Sequence, residues 1–492
     1  MEALISAVLG DLVSRAISVV VKKYRDQTTT EEDLQRLHQL LLRLSAVIEE
    51  AEGRCVTNRG MVRQVSMMIE QMFRGYYLLD SFKCRNKKTD DEEVSQSLFA
   101  QSKSNPAKRY RCLSSDTQIK SMVIGRDSGR ELKRVILVLE SMVADIKEFA
   151  IFLMGYPRIC RQPYASYLFL NKCMFGRQME REQVISFLLQ DEPLGGGNLG
   201  VLPIVGPRLI GKSTLVEHVC EDERVRNNFS LILRYNGNNL KYETAKKFRD
   251  HCVIKHQNIA SGEERVLVII EILGDVEEEA WNRLVHTSER CMAHGSKIII
   301  TSRSEKMISV GTSEAIKLSC LSKEAYWYFF KIVMFGSTDP EEHPKLTSIA
   351  MELALEMRGS FMAAYIVAAL LRENLSSQFW RRVLATAREY AEKNSLVLGE
   401  YPEDGMSRYS WSIAERLRGS DDRKLFLIHH SHESGPASQG EVPRITLVDL
   451  LSGTCRNMPR GKFEVLSWKS LIPPYYSYIY ACEFLWHKNT IS

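Results

Sequence analysis

At 492 residues the chain is long enough for about two to four domains, each able to bury a core. Charged residues make up 26% and hydrophobic residues 44%, an ordinary balance for a soluble globular protein, and a net charge of +5 is too small to argue for nucleic acid. The 11 cysteines show no C-x-x-C pair and no pairing rhythm, which points to reduced thiols in an intracellular compartment, and a cytoplasmic location is expected. The opening Met1-Glu2 has no basic n-region with an unbroken apolar run behind it, so no secretory signal is expected, and no run of about 18 apolar residues suggests a membrane span.

The first 155 residues predict helices. Ile5, Val8, Leu9, Leu12, Val13, Ala16, Ile17 and Val20 recur at three- and four-residue steps. Leu34, Leu37, Leu41, Leu44 and Ile48 form a cleaner seam, and Val62, Val65, Ile69, Met72, Tyr76 and Leu79 repeat it. Leu132, Val135, Ile136, Leu139, Met142, Val143, Ile146 and Leu153 make a fourth stripe. Each stripe must be buried on another helix. No seam runs unbroken for more than about three heptads, so residues 1–155 predict a four-helix bundle rather than one long coiled coil. Between the last two stripes, residues Lys83 to about Gly129 are rich in Lys, Arg, Ser and Asn. That stretch reads as a solvated linker, the favoured reading, or as a patch for nucleic acid or a membrane surface.

After Pro157 and Pro163 the pattern changes to strand-like runs alternating with helical ones: Leu199–Val205, Phe229–Tyr235, Arg265–Leu273, Ser296–Thr301 and Ala315–Leu318. Val266–Ile270 and Lys297–Ile300 are short and β-branched, as in strands buried on both faces of a parallel sheet. The first run leads straight into Gly206-Pro207-Arg208-Leu209-Ile210-Gly211-Lys212-Ser213-Thr214, which fits G-x-x-x-x-G-K-[ST]. In such a loop the glycines turn backbone N–H groups toward phosphate oxygens and the following helix N-terminus adds partial positive charge. Lys212 would then reach the β/γ-phosphates, and the Ser213 hydroxyl would ligate Mg²⁺.

Other runs fall in a recognisable order around this loop. Phe175-Gly176-Arg177 with Glu180 precedes it, and Val266–Leu273 occupies the place of a Walker B strand. Gly295–Ser304 reads G-S-K-I-I-I-T-S-R-S, and Lys317–Ser322 is followed by Ala325–Phe330. With these runs, and with the helical N-terminus, the chain resembles the plant nucleotide-binding leucine-rich-repeat immune receptors of the coiled-coil class, and specifically their NB-ARC module. The resemblance covers roughly residues 1–395. It implies ADP or ATP with Mg²⁺ as the cofactors, the backbone of Phe175, Gly176 and Arg177 around the adenine, and Arg303 as the γ-phosphate sensor. The nucleotide-binding set is then Phe175, Gly176, Arg177, Gly206, Pro207, Ile210, Gly211, Lys212, Ser213, Thr214 and Arg303, with Ser213 and Glu271 at the metal. The resemblance also implies protein partners for the N-terminal bundle, self-association among them, and peripheral membrane contact stays open.

The departures shape the expected chemistry. A catalytic Walker B strand ends in paired acids, whereas this one ends Glu271-Ile272; Glu271 can still hold Mg²⁺, but Ile272 cannot accept a proton. Efficient hydrolysis is therefore not expected, and Asp275 is a weak substitute. Where the family carries Gly-Leu-Pro-Leu, this chain has Gly359-Ser360-Phe361-Met362-Ala363. Phe361 there either stacks on adenine or packs as core, the favoured reading. On the third helix Arg74–Phe82 keeps Asp80 but not the family's acidic pair.

From about Ser395 the resemblance fades. The family's Met-His-Asp motif and its leucine-rich repeats are missing from this sequence, so a truncated form is expected. Arg444–Leu450, Lys462–Trp468 and Tyr475–Trp486 read as strands, Gly435–Gly440 as a loop, and His429-His430-x-His432 as a solvated loop rather than a metal site. The aromatic run Pro473–Tyr480 reads as packed core or, less favoured, a partner surface. The expected architecture is a helical bundle over 1–155, a P-loop α/β domain over 170–312, a helical subdomain over 313–395 and a β-rich module over 396–492. The expected function is an ADP/ATP-binding switch in plant defence. The alternatives are an adaptor or decoy with vestigial nucleotide binding and, less favoured, an active P-loop NTPase.

Overall fold

A computed structural model describes residues 30–99 (apart from 53 and 55), 115–157, 176–190, 199–207, 210–236, 254–257, 265–272, 281, 284–285, 292–393 (apart from 337 and 358), 409–412, 425–434, 443–452, 461–469 and 477–485. The chain divides into two compact units, Met1–Arg161 and Gln162–Ser492. Among the described residues no helix is long and apolar enough to cross a membrane.

The first unit holds α1 (residues 30–52), α2 (Arg59–Phe99) and α3 (Ser115–Met154). The second, third and fourth stripes are its core: Leu37, Leu41 and Leu44 of α1, Val65 and Ile69 of α2, and Leu132, Val135 and Leu139 of α3 are all buried. Gly75 lets α1 and α2 close up, because a Cβ there would lie 2.6 Å from Leu41 Cδ2. Arg74, which stands in the segment that lacks the acidic pair, forms an ion pair with Glu131 of α3. The polar stretch expected as a loop over 83–129 is largely helical: α2 runs on to Phe99 and α3 begins at Ser115. Glu, Gln and Lys have high intrinsic helix propensity, so a helix can outrun its apolar stripe. The first stripe, residues 5–20, lies outside the described residues.

In the second unit, α4 (Gln178–Leu189) precedes β1 (Gly200–Val205), α5 (Lys212–Cys220), α6 (Glu223–Asn228), β2 (Leu231–Asn236), β3 (Ile254–Gln257), β4 (Val266–Ile272), β5 (Lys297–Ser302) and β6 (Ile316–Lys317). These strands form one sheet in the order β3-β2-β4-β5-β1-β6. All neighbours are parallel except β3, which runs antiparallel on the edge. Alternate residues feed two cores. Leu202, Ile204, Leu267, Ile269 and Ile299 pack against α4 and α5. Val201, Val205, Val268, Ile270, Ile272, Ile298 and Ile300 pack on the other side with Trp281 and Leu284. Burial on both faces explains why these strands read as unbroken apolar runs.

Four helices follow: α7 (Lys323–Phe335), α8 (Pro344–Glu356), α9 (Phe361–Arg372) and α10 (Ser377–Lys393). Ser322 caps α7 by accepting from the Ala325 amide at 3.2 Å, and Ser360 caps α9 by accepting from the Ala363 amide at 3.2 Å. Buried Trp380 donates through Nε1 to the Asn374 carbonyl at 2.8 Å, which fixes the turn between α9 and α10.

The C-terminal segments form a second, antiparallel sheet of β7 (Tyr409–Ser412), β8 (Leu425–Ser434), β9 (Lys462–Lys469) and β10 (Ser477–Leu485), ordered β7-β8-β10-β9. Two expectations are corrected here. His429, His430 and His432 lie on strand β8 rather than in a loop. The run 444–450 is not a strand: Leu447–Ser452 is a helix, α11. A reciprocal capping arrangement decides it. Thr446 donates its amide and its hydroxyl to Asp449 Oδ2 at 3.0 and 2.6 Å, and the Asp449 amide donates back to Thr446 Oγ1 at 3.1 Å. Leu447 and Leu450, three apart, are then both buried.

Asp222 ties α4 to α6. It caps α6 by accepting from the Arg224 amide at 3.0 Å, and it pairs with the side chains of Arg224 at 3.0 Å and Arg181 at 2.6 Å. Burial opposes its charge, but the Arg224 hydrogen bonds and the Arg224 and Arg181 charges outweigh it and hold the carboxyl below the usual carboxylate range. A depressed folded-state pKa stabilises above the unfolded value of about 3.9 and is lost as pH falls through the folded value. Asp222→Ala should therefore cost about 1–2 kcal/mol near neutral pH. The gap between the melting curves of parent and variant should narrow below about pH 4; a gap independent of pH would mean that the charge of Asp222 contributes nothing.

Candidate functional site

The carboxyl end of β1 is built around a close approach. The Leu318 amide donates to the Val205 carbonyl at 2.8 Å, and the Gly206 amide donates to the Ser302 carbonyl at 3.2 Å. A Cβ on Gly206 would sit 2.6 Å from the Leu318 carbonyl oxygen, so no other residue fits without moving backbone. Gly211 has φ +94°, a left-handed conformation that L side chains rarely adopt, and it serves as N-cap of α5. Between these glycines Ile210 is buried in the core beside α5, so its side chain anchors the loop from behind.

Lys212 opens α5, and its ammonium group donates to the Gly206 and Pro207 carbonyls at 2.7 Å each. Ser213 Oγ donates to Glu271 Oε1 at 2.9 Å. One turn further on, buried Glu217 forms an ion pair with Arg234 of β2. Ser213 and Glu217 thus share the sheet-facing side of α5. Cys220 lies close by; burial pushes its thiol up to about 12, with Arg234 opposing the rise and Glu217 adding to it. Thr214 is half-buried, and Arg303 is exposed just beyond β5.

Phe175 lies outside the described residues. Gly176 has φ +63°, and a Cβ there would come within 3.2 Å of Leu321 Cδ2. Arg177 is buried, donates to Glu180 Oε1 at 3.0 Å and also hydrogen-bonds the Ser319 carbonyl. Its side chain is committed to the segment between β6 and α7. From the other side, Cβ of a residue in place of Gly359 would lie 3.6 Å from Cys320 Cβ. Residues 318–321 are therefore a strap gripped by α4, the glycine loop and the turn into α9. The run Lys317–Ser322 was read as a motif, but nothing in it marked the carbonyls of Leu318 and Ser319, through which these residues act.

Phe361 is half-buried, and its Cε2 lies 4.0 Å from where Gly211 would carry a Cβ. Its ring also packs edge-on against Phe329, with centroids 5.0 Å apart. It belongs at once to the aromatic core and to the rim of the glycine loop. Glu271 and Ile272, read together from the sequence as the strand end, point to opposite faces. Glu271 meets Ser213, whereas Ile272 is 2% exposed among Val268, Ile270 and Trp281.

Two outcomes are expected. Gly206→Ala should destabilise the fold by about 1–3 kcal/mol, because the clash is with backbone; an unchanged thermal midpoint would contradict this packing. Ile272→Asp should lower stability by about 3–5 kcal/mol by burying an unpaired carboxylate. Denaturant unfolding checks the second, and parental stability would mean that position 272 faces water.

No family model matches the chain. Curated relatives are plant disease resistance proteins. Disease resistance protein RGA2 of Solanum bulbocastanum is 22% identical over 399 residues, covering 78% of this chain and 38% of the relative. Putative disease resistance protein RGA1 of the same species is 22% identical over 402 residues, with the same coverage of 78% and 38%. Putative disease resistance RPP13-like protein 1 of Arabidopsis thaliana is 22% identical over 414 residues, covering 78% of this chain and 37% of the relative. The chain thus matches under two fifths of the length of these relatives. Among solved structures, that of C. elegans PCH-2 aligns at TM-score 0.27 and 14% identity, covering 40% of this chain and 64% of that one.

Proposed function

We propose that this relative of the plant disease resistance proteins is a nucleotide-dependent switch of a defence response, binding ADP or ATP with Mg²⁺ at residues 206–214. The observation that carries the reading is the pairing of Ser213 with Glu271, 2.9 Å apart, at the N-terminus of α5, beside Lys212, whose ammonium lies against the Gly206 and Pro207 carbonyls of the loop. The residues fit the group. The loop is bounded by a glycine seated against the Leu318 carbonyl and by one in the left-handed region, and a loop of this kind turns backbone N–H groups toward phosphate oxygens. The first amides of a nine-residue helix face the same place. Lys212 supplies a compact cation, and Ser213 and Glu271 supply the hard oxygen donors that Mg²⁺ takes.

In this reading Gly206, Pro207, Gly211, Lys212, Ser213 and Thr214 hold the phosphates, and Ile210 anchors the loop. The backbone of Phe175, Gly176 and Arg177 holds the base, and Arg303 senses the γ-phosphate. Ser213 and Glu271 hold the metal. Ile272 faces the core and provides no base, so hydrolysis is slow and occupancy rather than turnover carries the signal. Switching then requires that ADP and ATP differ in affinity for two arrangements of the domains. We assign the α/β sheet region 170–312 to nucleotide binding, 313–395 to its helical extension and 396–492 to a β-rich module. The helices of 1–155, completed to a four-helix bundle by the stripe at residues 5–20, are the proposed partner-binding and self-associating element. A cytoplasmic location goes with this reading.

The test is nucleotide content and affinity. The purified protein should retain ADP, and Lys212→Ala should weaken Mg-ADP binding by about 10²-fold or more, since a charge-assisted contact to phosphate is lost. Turnover should stay well below about 1 s⁻¹. Equal Mg-ADP affinity in parent and variant would overturn the site, an empty parent would favour the adaptor, and rapid turnover would favour an enzyme.

A further inference from the structure

A continuous file of aromatic rings links the glycine loop to the second sheet. It starts with Phe361 at the first turn of α9, whose ring lies 4.0 Å from the position of a Cβ on Gly211. Phe361 packs edge-on to Phe329 of α7 at 5.0 Å, and Phe329 packs edge-on to Tyr365 at 5.7 Å. Tyr365, one turn along α9 from Phe361, stacks on Trp468 of β9 with centroids 6.2 Å apart and planes within 25°. Trp468 in turn packs on Tyr478 of β10 at 5.6 Å, so the file ends inside the antiparallel sheet.

α9 is held at its start by α7 and along its side by the C-terminal segments. Buried Tyr326 donates its hydroxyl to the Ser360 carbonyl at 2.7 Å, and Ser360 is the N-cap of α9, so the start of the helix cannot slide independently of α7. On the other side α9 packs against α11 and β9. The Leu466 amide of β9 donates to the Ile445 carbonyl at 2.9 Å, which holds β9 to the segment that caps α11. The wall beside Gly211 is thus carried by a helix whose position is set in part by the second sheet.

We propose that Trp468 is a positioning residue for the glycine loop: through Tyr365 and Phe361 it sets the position of α9 against Gly211, so that the C-terminal sheet and the loop are ordered as one cooperative unit. As far as it concerns ligand retention, this rests on the nucleotide reading above. A ring stack is a directional contact between two elements far apart in sequence, and a closely packed interior transmits a small displacement rather than absorbing it. Loosening the stack therefore releases α9, and with it the ring that borders a left-handed glycine.

The experiment uses the full chain and the variants Trp468→Leu, Trp468→Phe and Tyr365→Leu. Hydrogen–deuterium exchange over residues 210–216 and the release rate of ADP are measured for each. Trp468→Leu and Tyr365→Leu should speed exchange over 210–216 several-fold and ADP release about tenfold, the size of an ordinary coupling between sites. Trp468→Phe, which keeps a ring, should restore most of both, and the double leucine variant should be no worse than either single one, because both remove one stack. Parental exchange over 210–216, with faster exchange confined to β9 and β10, would overturn the proposal. If the parent binds no ADP the nucleotide reading falls, while the exchange comparison still decides the coupling. Should Trp468→Leu fail to fold, Tyr365→Leu against Trp468→Phe gives the same decision from the other side of the stack.

Discussion

The glycine loop rests on an approach of backbone to backbone that leaves no room for a side chain. At Gly206 the chain leaving β1 passes so near the Leu318 carbonyl that a Cβ would lie 2.6 Å from it. That contact seats the loop on the strap of residues 318–321, and the same strap receives Arg177 at the Ser319 carbonyl. It also runs past Gly359 at the turn into α9. Three parts of the second unit, distant in sequence, are therefore registered against one short segment. A displacement of the strap would be felt at α4, at the loop and at α9 together.

The orientation of α5 depends on a second constraint, the buried pair of Glu217 and Arg234. Removing two charges from water is costly, and the pair repays this only while both partners stay in place. Arg234 is paired in register with Ile269, and Asn236 with Glu271, so Arg234 and Glu271 lie two residues apart along neighbouring strands. Glu217 follows Ser213 by four residues, a single helical turn. Holding Glu217 over β2 therefore turns Ser213 toward β4 and brings its hydroxyl to Glu271.

The aromatic file gives the C-terminal sheet a bearing on the loop that its sequence does not suggest. Trp468 of that sheet reaches α9 through Tyr365. Phe361 packs in the aromatic core, the favoured reading, and another edge of its ring borders the glycine loop. In the first unit Arg74 pairs with Glu131 of α3, which ties this segment within its own helical unit.

The sequence by itself determined what depends on local chemistry. Runs of β-branched residues specify strands buried on both faces, and β1, β2, β4, β5 and β6 lie within about a residue or two of where those runs predict them. The glycine–lysine–serine spacing specifies a loop that ends at a helix N-terminus, and the helical stripes specify which faces of α1, α2 and α3 are buried. Tertiary structure alone decided the rest. The pleat sent Ile272 away from Glu271, because successive residues of a strand face opposite sides and which side carries the site depends on the helix that covers it. At 444–450 a β-branched run lost to the Thr446–Asp449 cap and the burial of Leu447 and Leu450, since two reciprocal hydrogen bonds and a packed face outweigh a weak propensity. Leu318 and Ser319 could not be singled out from their side chains, because what they contribute is a carbonyl, and where a carbonyl points is set by the whole fold.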